Sequence, residues 1–166
     1  WYYGQLDRTA WSDTGLKRNP IAAKYDAGTE QSRLLYHETG TDDNTTAPST
    51  AIASYIDTAD FDIDDGYKFG FVTSILPDLN FAGSTAATPR VTMDIRARNF
   101  SGTTYAPFEA GPVSRSSTVP VEQYTEQVFV RVRGRQMSFR ISSSNRGVAW
   151  QMGTPRLRVR EDGRKQ

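Results

Sequence analysis

The sequence has no cysteine and a single histidine, His37. Without cysteine there is no disulfide framework, no thiolate metal site and no cysteine nucleophile, and a lone histidine cannot supply a two-histidine metal site. No stretch reaches the roughly 20 apolar residues that span a bilayer, so no membrane-spanning segment is expected. Helical periodicity is nearly absent, and the best candidate, residues 29–36, runs barely two turns. The glycines are scattered through turn-like positions, and GxSxG, GxGxxG and the P-loop pattern are all missing. The chain therefore lacks the signatures of a serine nucleophile elbow or a phosphate cradle. No catalytic residue and no cofactor are expected.

What is present is a chain of 166 residues, 37 % of them hydrophobic, enough for one ordinary domain or for one domain with an appended extension. It begins Trp-Tyr-Tyr-Gly, without Met, and reads as a piece of a longer polypeptide. The net charge of +1 hides an asymmetry. Residues 1–89 carry 6 Lys/Arg against 13 Asp/Glu, a net of −7, whereas residues 90–166 carry 14 against 6, a net of +8. Such polarity suggests charge-complementary packing, within the chain or between neighbouring copies, but the plainer reading, charges that decorate solvated strand faces, carries at least as much weight.

Strand signals dominate the rest. In residues 51–63, Ile52, Ser54 and Ile56 share one parity and Tyr55 the other, and after Asp60 the alternation sets Phe61 and Ile63 against Asp60, Asp62 and Asp64. Asp65-Gly66 predicts a turn into the run KFGFVTSIL, and hence a hairpin. Residues 77–89 read as a loop and residues 101–120 as a long polar connection. Between them Val91, Met93, Ile95 and Ala97 oppose Asp94, Arg96 and Arg98. In QVFVRVRGRQMSFRISS, Val128, Val130 and Val132 oppose Phe129, Arg131 and Arg133. Gly134 then marks a bend, after which Met137, Phe139 and Ile141 oppose Ser138 and Arg140. The expectation is an antiparallel hairpin with one apolar and one arginine-bearing face. A turn at Asn145-Arg146-Gly147 leads to a last strand, with Leu157 and Val159 set against Arg156, Arg158 and Arg160. The predicted fold is all-β, an antiparallel β-sandwich over residues 49–166, preceded by an extension at residues 1–48 with two or three short strands.

His37 falls at the end of the short strand LLYH and is read as structural. The run Asp57, Asp60, Asp62, Asp64, Asp65, Gly66 invites a calcium reading, but a loop starting at Asp60 places Asp65 where glycine is needed and Phe71 where a bidentate glutamate is needed. A solvated strand face fits it better. The arginines of the C-terminal strands could grip phosphate, yet the isoelectric point near 8.2 is low for a dedicated nucleic-acid domain. Ion pairing across a subunit interface is the favoured role, with Arg131, Arg133, Arg140, Arg158 and Arg160 as candidate interface residues. A competing class, a carbohydrate- or surface-binding module, rests on Trp1, Tyr2, Tyr3, Trp11 and Tyr105.

Several strings taken together carry a resemblance: WYYGQLDRTAW, LLYHETGTDDN, SILPDLNFAGSTAATP, VTMDIRARNFSG, VEQYTEQVFVRVRGRQMSFRISS and GVAWQMGTPRLRVREDGRKQ. The chain resembles the C-terminal part of the tail nozzle, or tubular tail, proteins of short-tailed bacteriophages, a group related to packaged-DNA stabilisation proteins. That resemblance implies a virion structural protein in the tail, a homo-oligomeric ring of six copies below the portal and adaptor, and neighbours among the adaptor, fibre or spike proteins. It also implies passage of viral DNA without sequence-specific binding. Members of the group combine β-propeller and β-sandwich parts, which would make residues 1–48 a propeller-like remnant. They are also several times longer than this chain.

Overall fold

The computed structural model describes residues 7–13, 18–63, 66–99 and 116–163. All regular structure among them is β. The chain forms two compact units, residues 1–40 with 44–49, and residues 41–43 with 50–166.

In the first unit, strands β1 (Ala10–Ser12), β2 (Ile21–Asp26) and β3 (Gln31–Tyr36) form one antiparallel sheet in that order. The segment that offered the best helical pattern is thus mostly strand. Its first residues instead close the β2–β3 turn: the Asp26 carboxylate accepts the Gly28 amide at 3.0 Å and Glu30 adopts a φ of 53°. Two turns of weak helical pattern lose to six paired residues against β2. Register places Ala22, Leu35 and Trp11 on one face, and Ile21, Ala23, Tyr25, Leu34 and Tyr36 on the other.

The second unit opens with β4 (Asp42–Asp43), which pairs with β5 (Thr50–Ala51). Then follow β6 (Ser54–Asp57), β7 (Phe61–Asp62), β8 (Gly70–Leu76), β9 (Leu79–Asn80), β10 (Arg90–Arg98) and β11 (Ser116–Glu122). The last four are β12 (Val128–Gly134), β13 (Gln136–Ser143), β14 (Gln151–Met152) and β15 (Arg156–Glu161). One sheet runs β11-β10-β13-β6, with β7 continuing along the same edge of β13; the other runs β12-β8-β15, and β9 pairs with β14. All these pairings are antiparallel.

The two larger sheets bury their apolar parities against each other. Val91, Met93, Ile95 and Ala97 of β10 and Met137, Phe139 and Ile141 of β13 meet Val72 and Ile75 of β8 and Val128, Val130 and Val132 of β12 in one cluster. Met137, Ile141 and Val72 are fully buried. The predicted sandwich and the predicted inward parities are therefore present, as period-2 patterning against one apolar layer requires.

Two expected hairpins are absent. β12 and β13 do not pair: β12 lies beside β8 and β13 beside β10, so the chain crosses from one sheet to the other at Gly134 and Arg135. Arg135 is held at the crossing by its amide donating to the Arg98 carbonyl at 2.9 Å and its carbonyl accepting the Ile63 amide at 2.9 Å. Gly134 is required here by space, since a Cβ would stand 2.6 Å from the Ala97 methyl and 3.0 Å from the Arg98 carbonyl oxygen. The segment after Ile63 behaves likewise. β7 belongs to the five-stranded sheet and β8 to the three-stranded one. Arching instead of folding back lets both apolar faces enter one core from opposite sides. The Gly66 amide does donate to the Ile63 carbonyl, at 3.1 Å, but Asp64 and Asp65 lie outside the described residues.

Two expected loops also hold strands. Residues 77–89 contain β9, and the predicted connection 101–120 ends in β11, with residues 101–115 outside the described set. β11 is an edge strand, which is where Pro120 is tolerated inside a ladder. The turn at residues 145–147 is as expected: Gly147 has a φ of 71°, and its amide donates to the Asp42 carboxylate at 2.6 Å.

Candidate functional site

The outward parity of the β12-β8-β15 sheet gathers most of the candidate arginines. Two cross-strand rows define it. Phe129, Ser74 and Arg158 stand side by side in one, and Arg133, Phe71 and Arg160 in the other. A bulge in β12 separates the rows and holds Arg131, and against β15 the register shifts between Arg158 and Val159, where the extra residue is Thr73 of β8. Bulges of this kind raise local twist and re-aim side chains. Phe129 is 78 % exposed, and beside it Phe71, Thr73, Arg131 and Ser117 line an open depression of about 720 Å³.

The five arginines separate into two groups. Arg133 is engaged within the chain: its Nε pairs with the Asp162 carboxylate, its Nη2 donates to the Asp162 carbonyl at 3.2 Å, and its guanidinium lies 4.0 Å from the centroid of the buried Phe69 ring. Arg140 is engaged on the other sheet. It donates to both Asp57 oxygens, at 2.6 and 2.7 Å, and stacks 4.4 Å from the centroid of Tyr55. Arg131, Arg158 and Arg160 are exposed and, among the described residues, make no hydrogen bond or ion pair through their side chains. Arg156 is in the same condition. It is not among the five candidates, although its alternation against Leu157 is the same signal that marks Arg158 and Arg160. The one acid within the three strands, Glu161, pairs with Lys68 at 3.1 Å.

The face thus presents four guanidinium groups without an ion-pair partner among the described residues, and an exposed phenylalanine. Exposed ion pairs formed inside one chain contribute only about 0–1 kcal/mol, so Arg133–Asp162 orients its side chain more than it stabilises the fold. The free arginines retain their five donors each, available to carboxylates or other planar anions.

The remaining candidates fall elsewhere. His37 follows β3, accepts a hydrogen bond from Arg8 Nε at 3.0 Å and packs its ring 4.7 Å from that of Trp11. Asp57 and Asp60 each face a guanidinium, Arg140 for the first and Arg98 at 2.6 Å for the second, rather than converging on a common point. Among the described residues no group of three or more His, Cys, Asp or Glu side chains is arranged to hold a metal ion. Of the aromatics behind the carbohydrate reading, Trp11 is half exposed, whereas Trp1, Tyr2, Tyr3 and Tyr105 lie outside the described residues. No described helix is long and apolar enough to cross a membrane, which leaves strand-built membrane spans unaddressed.

No protein-family model matches this chain, and no curated protein matches it significantly. The functional reading therefore rests on the site.

Proposed function

We propose that this chain is a non-enzymatic virion structural protein, a subunit of the tail nozzle ring of a short-tailed bacteriophage, six copies of which surround the exit path of the DNA. The family resemblance motivates the assignment. The observation that supports it is the outer face of the β12-β8-β15 sheet, where Arg131, Arg156, Arg158 and Arg160 have no acid partner among the described residues and share the face with an exposed Phe129.

An exposed aromatic residue that shares a face with arginines is the composition of a protein–protein hot spot. The acids to meet them are available in a second copy, because residues 1–89 are net −7. A cyclic ring needs a heterologous interface, and a basic patch that meets acidic residues of the next copy would supply it. Lining the conduit with the same arginines would be counterproductive. Each phosphate contact strengthens non-specific DNA binding through counterion release and would retard passage. The arginines are therefore assigned to the seams between subunits.

The test is sedimentation velocity with negative-stain imaging of the purified chain at low and at molar salt, beside the variant carrying Arg131→Glu, Arg158→Glu and Arg160→Glu. Closed rings at low salt, dissociated by salt and absent from the triple variant, are expected. A parent that stays monomeric at all concentrations, or a triple variant that assembles like the parent, refutes the assignment.

A further inference from the structure

The outward parity of the five-stranded sheet carries a second feature that the ring interface does not use. Register aligns Pro120 of β11, Thr92 of β10, Ser142 of β13 and Tyr55 of β6 in one row across four strands. The two central residues are small and hydroxylic and the two outer ones are bulky. The row is therefore a trough running across the sheet, spanning three strand spacings or roughly 14 Å. Its volume is about 280 Å³.

One wall is preorganised. Asp57 holds Arg140 through two hydrogen bonds, and Arg140, with only 13 % of its side chain accessible, lies against the Tyr55 ring. The ring is fixed in place while Tyr55 remains 49 % exposed. Along the floor, Thr92 and Ser142 have no side-chain hydrogen bond among the described residues. At the rim stands Arg90, whose guanidinium makes no ion pair there although Glu122 is its register neighbour. Asn145 is positioned beside it, its Nδ2 donating to the Arg90 carbonyl at 3.4 Å.

We infer that this trough binds an oligosaccharide bearing a carboxylated sugar. The carbon–hydrogen face of a pyranose packs on a fixed aromatic ring, whose π surface is electron-rich. Floor hydroxyls donate to and accept from sugar hydroxyls. Arg90 takes the carboxylate through a charge-assisted, planar bidentate contact that a neutral sugar does not offer. Pockets of this kind combine few polar groups with an apolar wall. The site lies on the opposite sheet from the arginine seam, so it stands or falls independently of the ring.

The test uses the full chain on an array of acidic and neutral bacterial envelope oligosaccharides. The best acidic binder is then compared with its own methyl ester, and with duplex DNA as a competitor. The acid form should bind about tenfold more tightly than the ester, the difference expected of one hydrogen bond to a charged group. Tyr55→Ala should weaken both forms at least tenfold. Arg90→Ala should equalise acid and ester. Both residues are exposed, and unchanged thermal unfolding verifies that the variants are folded. The inference is overturned if no array member exceeds the Tyr55→Ala background, if the ester binds as well as the acid, or if DNA displaces the saccharide and binding follows Arg131, Arg158 and Arg160 instead.

Discussion

Replacing Gly134 with alanine tests the arched crossing between β12 and β13 directly. In a hairpin, an alanine at that position would sit at an open bend and change stability by a few tenths of a kcal/mol. In the arch, the new methyl would stand 2.6 Å from the Ala97 methyl and 3.0 and 3.2 Å from the backbone oxygen and nitrogen of Arg98. Ala97 is 4 % exposed inside the core, and Arg98 is fixed by its carbonyl accepting the Arg135 amide. Neither neighbour is the end of a flexible side chain, so strand β10 must move as a unit. Overpacking of this kind costs about 1–3 kcal/mol. At roughly 2–4 °C per kcal/mol for a chain of this size, the thermal midpoint should fall by about 2–12 °C. Urea unfolding followed by circular dichroism measures the free energy. Ala97→Gly in the same chain removes the closest contact, and the double variant should recover about 1 kcal/mol relative to the sum of the single changes. A Gly134→Ala protein within about 0.5 kcal/mol of the parent, the range of an ordinary surface change, would show that β12 and β13 are not packed in this way.

Met137 is fully buried between the sheets, and Met137→Ala should cost about 2–5 kcal/mol by the same urea assay, a loss confined to the sandwich unit. Asp26 is held ionised by the Gly28 amide and then by the Thr29 hydroxyl, which lower its pKa below the usual 3.8. Because the folded value is the lower one, its contribution is present above the unfolded pKa and lost as pH falls through the folded pKa. Carboxyl carbon NMR should show Asp26 titrating below 3.8, and an ordinary midpoint would contradict the turn geometry.

The sequence carried parity well and partnership poorly. Val128, Val130 and Val132, and Met137, Phe139 and Ile141, are buried as their alternation predicts, because a period of two is enforced by one apolar layer whatever lies beside the strand. Nothing in that alternation distinguishes a neighbour in the same sheet from one across the core. Gly134 looked like a turn residue, and its actual constraint, the Ala97 methyl, comes from a strand some 37 residues earlier. β11 was obscured by Pro120 and by its serine and threonine content, although Val119 and Val121 alternate correctly.

The arginine candidates show the same division. Their outward direction was legible, but their engagement was not: Arg140 meets Asp57 across 83 residues and Arg133 meets Asp162 across 29. The Tyr55 trough had no local signature at all. Its four row members come from four separate strands, and only register brings positions 55, 92, 120 and 142 together.

The position of β8 has a consequence for synthesis. This central strand takes one partner from β12 and the other from β15, and the Thr73 hydroxyl reaches the Arg158 carbonyl across 85 residues. A ribosome adding roughly 5–20 residues per second needs roughly 4–17 s to make that stretch. Throughout that interval one flank of a largely apolar strand has no ladder to join, long after its own residues have emerged. Nascent chains halted before residue 156 should accordingly engage holding chaperones, and release should coincide with the emergence of the last arginine-rich strand.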